Sequence, residues 1–410
     1  MNGIPAEELF SPATLADPYP FYERLRAVGP VCPLLGSRAF YVNGHAAVEE
    51  AVRRHEEFSA RLTGVLLRDA SGRASLFDFG GAGTASDVIA TADEPEHAVQ
   101  RRLLMPPMKA SRVAQMETSI RAFAEERIAR FVSAGGGDWC DVVGEPVPAF
   151  VVTQLLGLPA DAVDLVRRWA MMGGDMLGGL IDAAGMQHLL IETGRMSAHL
   201  GEHLARAQAL PAEARGSSLT DTLAGGIEAG LINREQAIGI LVILFGAAGE
   251  STAALLGCAL HLLLHTPGLQ ERLRAEPALI EPFVEEAIRL ETPFKFHYRV
   301  VKHNTTLCGT ALAEGDRLLL GWAAANRDPA AFEAPQEIRL DRLQPQRHLG
   351  FGHGIHFCIG APIARMEARI TLEELLRQSA WLSPEPQAPA RHVPSIFIRR
   401  LASLPLRCGH

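Results

Sequence analysis

Phe351-Gly352-His353-Gly354-Ile355-His356-Phe357-Cys358-Ile359-Gly360 is the stretch on which the fold turns. Gly352 and Gly354 permit tight backbone geometry with positive φ. Cys358 stands just before a helical pattern, Ala361 to Ala368. A cysteine at a helix N-terminus is favoured as thiolate by the helix dipole and by free N–H groups. Gly360 has no side chain to obstruct a flat ligand approaching the backbone. A buried, amide-bonded thiolate suits haem iron, and its electron density promotes O–O cleavage. An isolated cysteine is ordinarily buried and inert; the glycines and His356 around this one demand more than a core position does.

The surrounding chain reads as mainly helical. Helical patterns cover Pro18 to Val28, most of Glu96 to Pro267, and Ala361 to Gln378, with apolar residues at three- and four-residue spacing. Breaks fall at Gly135-Gly136-Gly137 and near Gly216. Asn233 caps a helix through Ala237 to Leu264, with Gln236 at the capping-box position and Pro267-Gly268 as its stop. Ala39 to Val42 is a short strand ended by Asn43-Gly44, and Val300 to Leu320 has the turn spacing of β-hairpins. From Arg61 to Ala90 the pattern dissolves into a long glycine-rich loop carrying Phe77 and Phe79. No repeat or low-complexity linker divides residues 1–410, so one mainly α domain with a small β-rich part is expected.

Composition agrees. The chain is 48% apolar, enough for a large core. A net charge of −8 argues against general affinity for nucleic acid or anionic lipid. Six scattered cysteines without a Cys-x-x-Cys pair read as reduced, in a cytoplasmic protein. The start of the chain lacks a basic segment followed by an apolar run, and Ala237 to Gly249 is too short to span a bilayer alone, so neither export nor membrane insertion is expected.

The Phe351–Gly360 run resembles the haem-binding loop of the cytochrome P-450 family, Phe-Gly-x-Gly-x-His-x-Cys-x-Gly, at every fixed position. The resemblance implies that family's fold, a large helical region and a small β-rich one with the haem between them, and is nearest to actinobacterial members. It implies haem b (iron protoporphyrin IX) with Cys358 as the iron ligand and Gly352 and Gly360 against the ring. Further marks follow in the family's order. Glu286 and Arg289 share a helix face and, with Arg342, resemble a buried structural network. His97 and Arg101, four apart on another helix face, resemble the pair that binds haem propionates. Arg299 and His356 match two more propionate donors, and His348 is a further candidate. Buried carboxylates need several such donors.

Gly246-Ala247-Ala248-Gly249-Glu250-Ser251-Thr252 lies in an apolar helix, where an acid and two hydroxyls are costly without a purpose. A hydroxyl can bond to a carbonyl one turn back and bend such a helix. The segment resembles the oxygen-activating helix, Ala-Gly-x-acid-Thr-Thr, with Ala248 where Gly is usual and Ser251 where the first Thr is usual. It implies that Glu250 with Ser251, or alternatively Thr252, relays protons to the oxygen side of the haem.

The resemblance also places a substrate pocket at Leu67, Phe77, Phe79, Phe245, Ala248, Phe294, Phe296, His297, Ile396 and Phe397. These are apolar or aromatic, apart from His297, and favour a lipophilic small molecule. The implied activity is that of a monomeric monooxygenase inserting one atom of O2 into it by hydroxylation or epoxidation. Electrons would come from NAD(P)H through a separate ferredoxin or flavodoxin and its reductase, because the chain has no flavin or iron–sulfur segment. Arg347, Arg365 and Arg369 are candidate docking residues for that donor. A peroxide-using peroxygenase and a non-catalytic haem sensor are alternatives. The acid–alcohol pair argues against both.

Overall fold

The apolar periodicity of residues 234–265 produces one continuous helix, and the molecule is arranged around it. In the computed structural model, which describes residues 3–69, 71–78 and 87–409, this central helix runs Arg234–His265. Its capping box forms as expected. Asn233 Oδ1 accepts from the Gln236 amide at 2.8 Å, and Gln236 Oε1 accepts from the Asn233 amide at 2.9 Å. Gly268, in the left-handed region, follows its end. The helix runs as its caps predict, and its apolar character extends well past Gly249, so that by length and composition alone it is apolar enough to cross a membrane. It spends that apolar surface on the protein core instead. Leu255, Leu256, Ala259, Leu260 and Leu263 pack with Val284, Ala287 and Ile288 of helix Ile280–Leu290, and with Ile363, Met366 and Ile370 of helix Ala361–Gln378. Midway, Phe245–Glu250 widens into π-helix.

The β-rich part is a six-stranded sheet. Its order is Ile4–Pro5, Val31–Leu35, Ala39–Val42, Arg317–Leu320, His297–Val301, Phe58–Ser59. Strand His297–Val301 pairs antiparallel with Arg317–Leu320, in the register Arg299 to Leu318 and His297 to Leu320. This delivers His297 and Arg299 to the inner edge of the helical body.

Two expectations are corrected. The stretch 61–90 is not one loop: Gly64–Arg68 and Ala74–Asp78 form an antiparallel hairpin, with Val65 opposite Phe77 and Leu67 opposite Ser75. Backbone pairing outweighs the poor side-chain pattern, and the Leu66 amide is further tied to the Tyr298 hydroxyl at 3.0 Å. Phe79 lies outside the described residues. The triple glycine at 135–137 does more than break a helix. Gly136–Asp138 is a strand pairing with Pro405–Gly409. A Cβ on Gly136, whose φ is +119°, would lie 2.1 Å from the Leu406 carbonyl oxygen.

The Glu286–Arg289–Arg342 network is present. Arg289 donates to both Glu286 oxygens at 2.7 and 2.8 Å, and Arg342 Nε adds a bond of 2.9 Å. Arg289 also donates to the carbonyls of Asn326, Pro335 and Glu337. One helix is thereby clasped to the segment 326–342.

Candidate active site

The loop before helix Ala361–Gln378 is shaped by its glycines. Gly352 and Gly354 both have φ +70°, a region L side chains rarely adopt. A Cβ on Gly354 would meet Val52 at 2.8 Å. The loop closes on itself where the Cys358 amide donates to the Phe351 carbonyl at 2.9 Å. Burial pushes the Cys358 thiol up, while the amides of Gly360 and Ala361 and the charges of Arg101 and Arg365 pull it down. A metal cation at the sulfur would tip that balance to thiolate.

Cys358 opens onto a cavity, which Gly352, Gly360, His97, Arg101, Arg299 and His356 also line. Arg299 is buried, and its Nη1 donates only to the carbonyl of its neighbour Tyr298, at 2.7 Å. No carboxylate pairs with it among the described residues, and burial lowers it to about 10, against the pull of Asp93. The rings of His97 and His356 lie tilted at 47° with centroids 4.2 Å apart, and His97 Nε2 and His356 Nδ1 are buried without partners among the described residues. Burial, then Arg299 and His97, push His356 down to about 3. Arg101 reaches the same end of the cavity and donates to the Phe357 carbonyl at 2.9 Å. An unpaired buried cation and two idle imidazole nitrogens are the surroundings of a missing anion. A flat macrocycle carrying two carboxylates and a thiophilic metal fits this donor set.

His348 is a correction. It does not line this cavity: its Nε2 meets Glu285 Oε2 at 3.0 Å and its Nδ1 accepts from the Gly350 amide at 3.1 Å. Arg365 holds the same carboxylate at 2.6 and 2.9 Å. Burial opposes ionisation of Glu285, but His348 and Arg365 prevail and hold it at about 2. Both nitrogens of His348 are therefore engaged. Arg365, and Arg369 through Glu117 and Glu373, are tied into ion pairs rather than free.

At the end of the π segment the acid and the hydroxyls face different cavities. Ser251 and Thr252 line the main cavity, and Ser251 Oγ donates to the Ala247 carbonyl one turn back at 2.6 Å. Glu250 does not line it. It faces a second cavity with Asp175, His188 and Ser395. Its Oε1 lies 3.2 Å from Arg400 Nε. Burial, opposed by Arg400 and reinforced by Asp175, pushes its carboxyl up to about 7.

Of the expected pocket residues, Ala248, Phe294 and His297 line the main cavity. The other described ones lie elsewhere. Leu67 packs in a satellite core and Phe77 is 49% exposed on the hairpin. Phe245 packs on Trp169, and Phe296 sits among Tyr41, Tyr298 and Phe397. Phe397 stacks behind Phe294 at 4.9 Å, and the Ile396 amide bonds to the Gly178 carbonyl. Arg400 and Trp322 were missed. The Arg399-Arg400 pair in an otherwise apolar stretch was a usable signal for the first. Nothing local marked Trp322, whose Nε1 donates to His297 Nδ1 at 2.7 Å.

Comparison with known proteins agrees with this geometry. The family model described as "Cytochrome P450" matches residues 217–400. Cytochrome P450 144 of Mycobacterium tuberculosis is 39% identical over 401 residues, 98% of this chain and 91% of the relative. The cytochrome P450 monooxygenase PikC of Streptomyces venezuelae is 30% identical, over 96% of this chain and 91% of its own. The crystal structure of the enzyme CYP109B1 from Bacillus subtilis superposes with a TM-score of 0.81 at 25% identity, covering 96% of this chain and 100% of that one. On fold, sequence and the donor set around Cys358, the chain belongs to the cytochrome P450 family and is a haem-dependent monooxygenase with bacterial relatives.

Proposed function

We propose that this enzyme inserts one atom of O2 into a lipophilic small molecule, by hydroxylation or epoxidation, with electrons drawn from NAD(P)H through a separate ferredoxin or flavodoxin and its reductase. One observation carries the reading: a single, largely apolar cavity has Cys358 on one wall and the hydroxyl residues Ser251 and Thr252 on another. The bound haem supplies the activation of O2 for that insertion.

The chain's residues divide the remaining work. Cys358 binds the iron as thiolate, and Gly352 and Gly360 leave room for the ring. Arg101, Arg299, His97 and His356 hold the haem carboxylates. His97 Nδ1 is already 3.2 Å from the Glu94 carboxylate, which only accepts hydrogen bonds. Its Nε2 therefore donates to a second carboxylate only from a doubly protonated ring, a state that burial disfavours and that two flanking anions would favour. Glu250 takes protons from the second cavity, and Ser251 or Thr252 passes them to the main one. A carboxyl near pH 7 is well matched to that transfer. The apolar walls exclude water and accept a lipophilic guest. The free, scattered cysteines support a cytoplasmic location, where the enzyme is proposed to act as a monomer.

The test is optical and kinetic. The reduced carbon monoxide complex should absorb far to the red, and Cys358→Ala should abolish that band. With a ferredoxin, its reductase and a lipophilic substrate, NADPH consumption should accompany oxygenated product. A band that persists in Cys358→Ala, or turnover supported by hydrogen peroxide alone, would contradict the proposal.

A further inference from the structure

One polar side chain in the apolar part of the main cavity is given no task by the function proposed above. His297 lines the cavity together with Pro293, Phe294, Leu244 and Ala248. Its ring packs edge-on against Phe294 and Phe397, both with centroids 5.5 Å away. Trp322 Nε1 lies 2.7 Å from His297 Nδ1, and an indole N–H only donates. Nδ1 is therefore the acceptor, and a neutral imidazole that accepts at Nδ1 carries its proton at Nε2. Double protonation would break the Trp322 bond, and burial, then Arg299, hold the ring at about 3. His297 is thus a donor of fixed sense throughout the neutral range. A histidine placed only to satisfy Trp322 accounts for Nδ1 and leaves Nε2–H without a task. No protein group meets Nε2 among the described residues.

We propose that His297 is a specificity residue that donates Nε2–H to an oxygen acceptor on the substrate, a carbonyl, ether or ester oxygen on an otherwise lipophilic molecule. This rests on the monooxygenase reading and narrows its substrate class. A haem carboxylate would offer the same acceptor chemistry, because Arg299 lies two residues on and leaves the same face of the strand. The substrate is the better claimant. Arg299, Arg101, His97 and His356 already serve the haem carboxylates, and His297 is flanked by the aromatic rings of Phe294 and Phe397 rather than by those donors.

The experiment titrates the holoenzyme optically with cyclododecanone and with cyclododecane, which share shape and differ in one acceptor. The wild type should prefer the ketone, and His297→Phe should reduce the ratio of the two affinities about tenfold. Trp322→Phe, which lets the proton move to Nδ1 for part of the time, should reduce the same ratio severalfold while leaving His297 in place. An unchanged ratio in His297→Phe overturns the proposal. If that variant instead loses haem faster to apomyoglobin with the ratio kept, the donor serves a haem carboxylate and the proposal likewise falls. The red-shifted carbon monoxide band, recorded for each protein, separates the two readings. Its absence from the wild type would refute the monooxygenase function, whereas its presence in every variant leaves the affinity ratio to judge His297 alone.

Discussion

Cys358 and Glu250 differ in how far their roles can be read from neighbours in the chain. The thiol's surroundings are local, within ten residues, so the pattern of glycines and His356 announces them. The direction Glu250 faces depends on Arg400, 150 residues away, and on a cavity wall built from residues 172–189 and 393–398. His348 failed as a propionate donor for the same reason, since its partner Glu285 lies 63 residues off. Aromatic pocket residues are equally illegible, because Phe245 and Phe294 have the same chemistry and only packing sends one to the core and the other to the cavity. Glu250 gives a pH-dependent prediction. Its carboxyl is raised from 4.5 to about 7, so between those values the folded state binds the extra proton. Stability therefore falls as pH rises through that window, by about 3 kcal/mol at most. Urea midpoints at pH 5 and pH 8 should differ for the wild type and converge for Glu250→Gln, with Arg400 still near Glu145 at 3.4 Å. The same variant should slow substrate-supported turnover about 100-fold while keeping the carbon monoxide band.

Among the elements, the central helix was the most legible and its π segment the least. Caps and apolar spacing are written in residues 233–268, whereas a wide turn is set by what packs on it. At Gly246 the turn following Ala170 comes so near that a Cβ on Gly173 would lie 2.7 Å from the Gly246 Cα. Gly173→Ala should push that turn off the helix and cost about 1–3 kcal/mol, read as a lower urea midpoint with faster opening of amides 171–179 to exchange. Asn233→Ala removes one capping bond and should cost about 1 kcal/mol without altering ligand titrations. The hairpin of residues 64–78 was hidden for a different reason: its pairing is carried by backbone groups, which side-chain pattern does not report.

Across the whole molecule, the helix Ile280–Leu290 and the distant segment 326–342 are joined by few charged residues at high stakes. Glu286 and Arg289 are both 0% exposed. Removing the cation leaves a buried carboxylate short of its main partner, which typically costs about 3–5 kcal/mol. Arg289→Ala should therefore express poorly and release haem on mild warming, whereas Arg342→Ala, at the clasp's more exposed edge, should be milder. The fold class followed from one motif and the apolar period. The clasp's membership was visible as Glu-x-x-Arg, but its reach to the Asn326, Pro335 and Glu337 carbonyls was not.

The π segment at Phe245–Glu250 also acts as a phase buffer. Each residue advances an α-helix by about 100°, and a π turn holds one residue more than a regular turn. The wide turn absorbs that residue, so the helix beyond it keeps its phase. Deleting a single residue there, Ala248 for example, should close the turn into regular helix with Ser251 and Thr252 still on the main cavity's wall, whereas inserting one alanine after Gly249 should rotate Glu250, Ser251 and Thr252 by that angle. This stretch of the helix thus tolerates a loss and not a gain. The insertion should uncouple NADPH consumption from product while leaving the Cys358 wall, and its red-shifted band, intact.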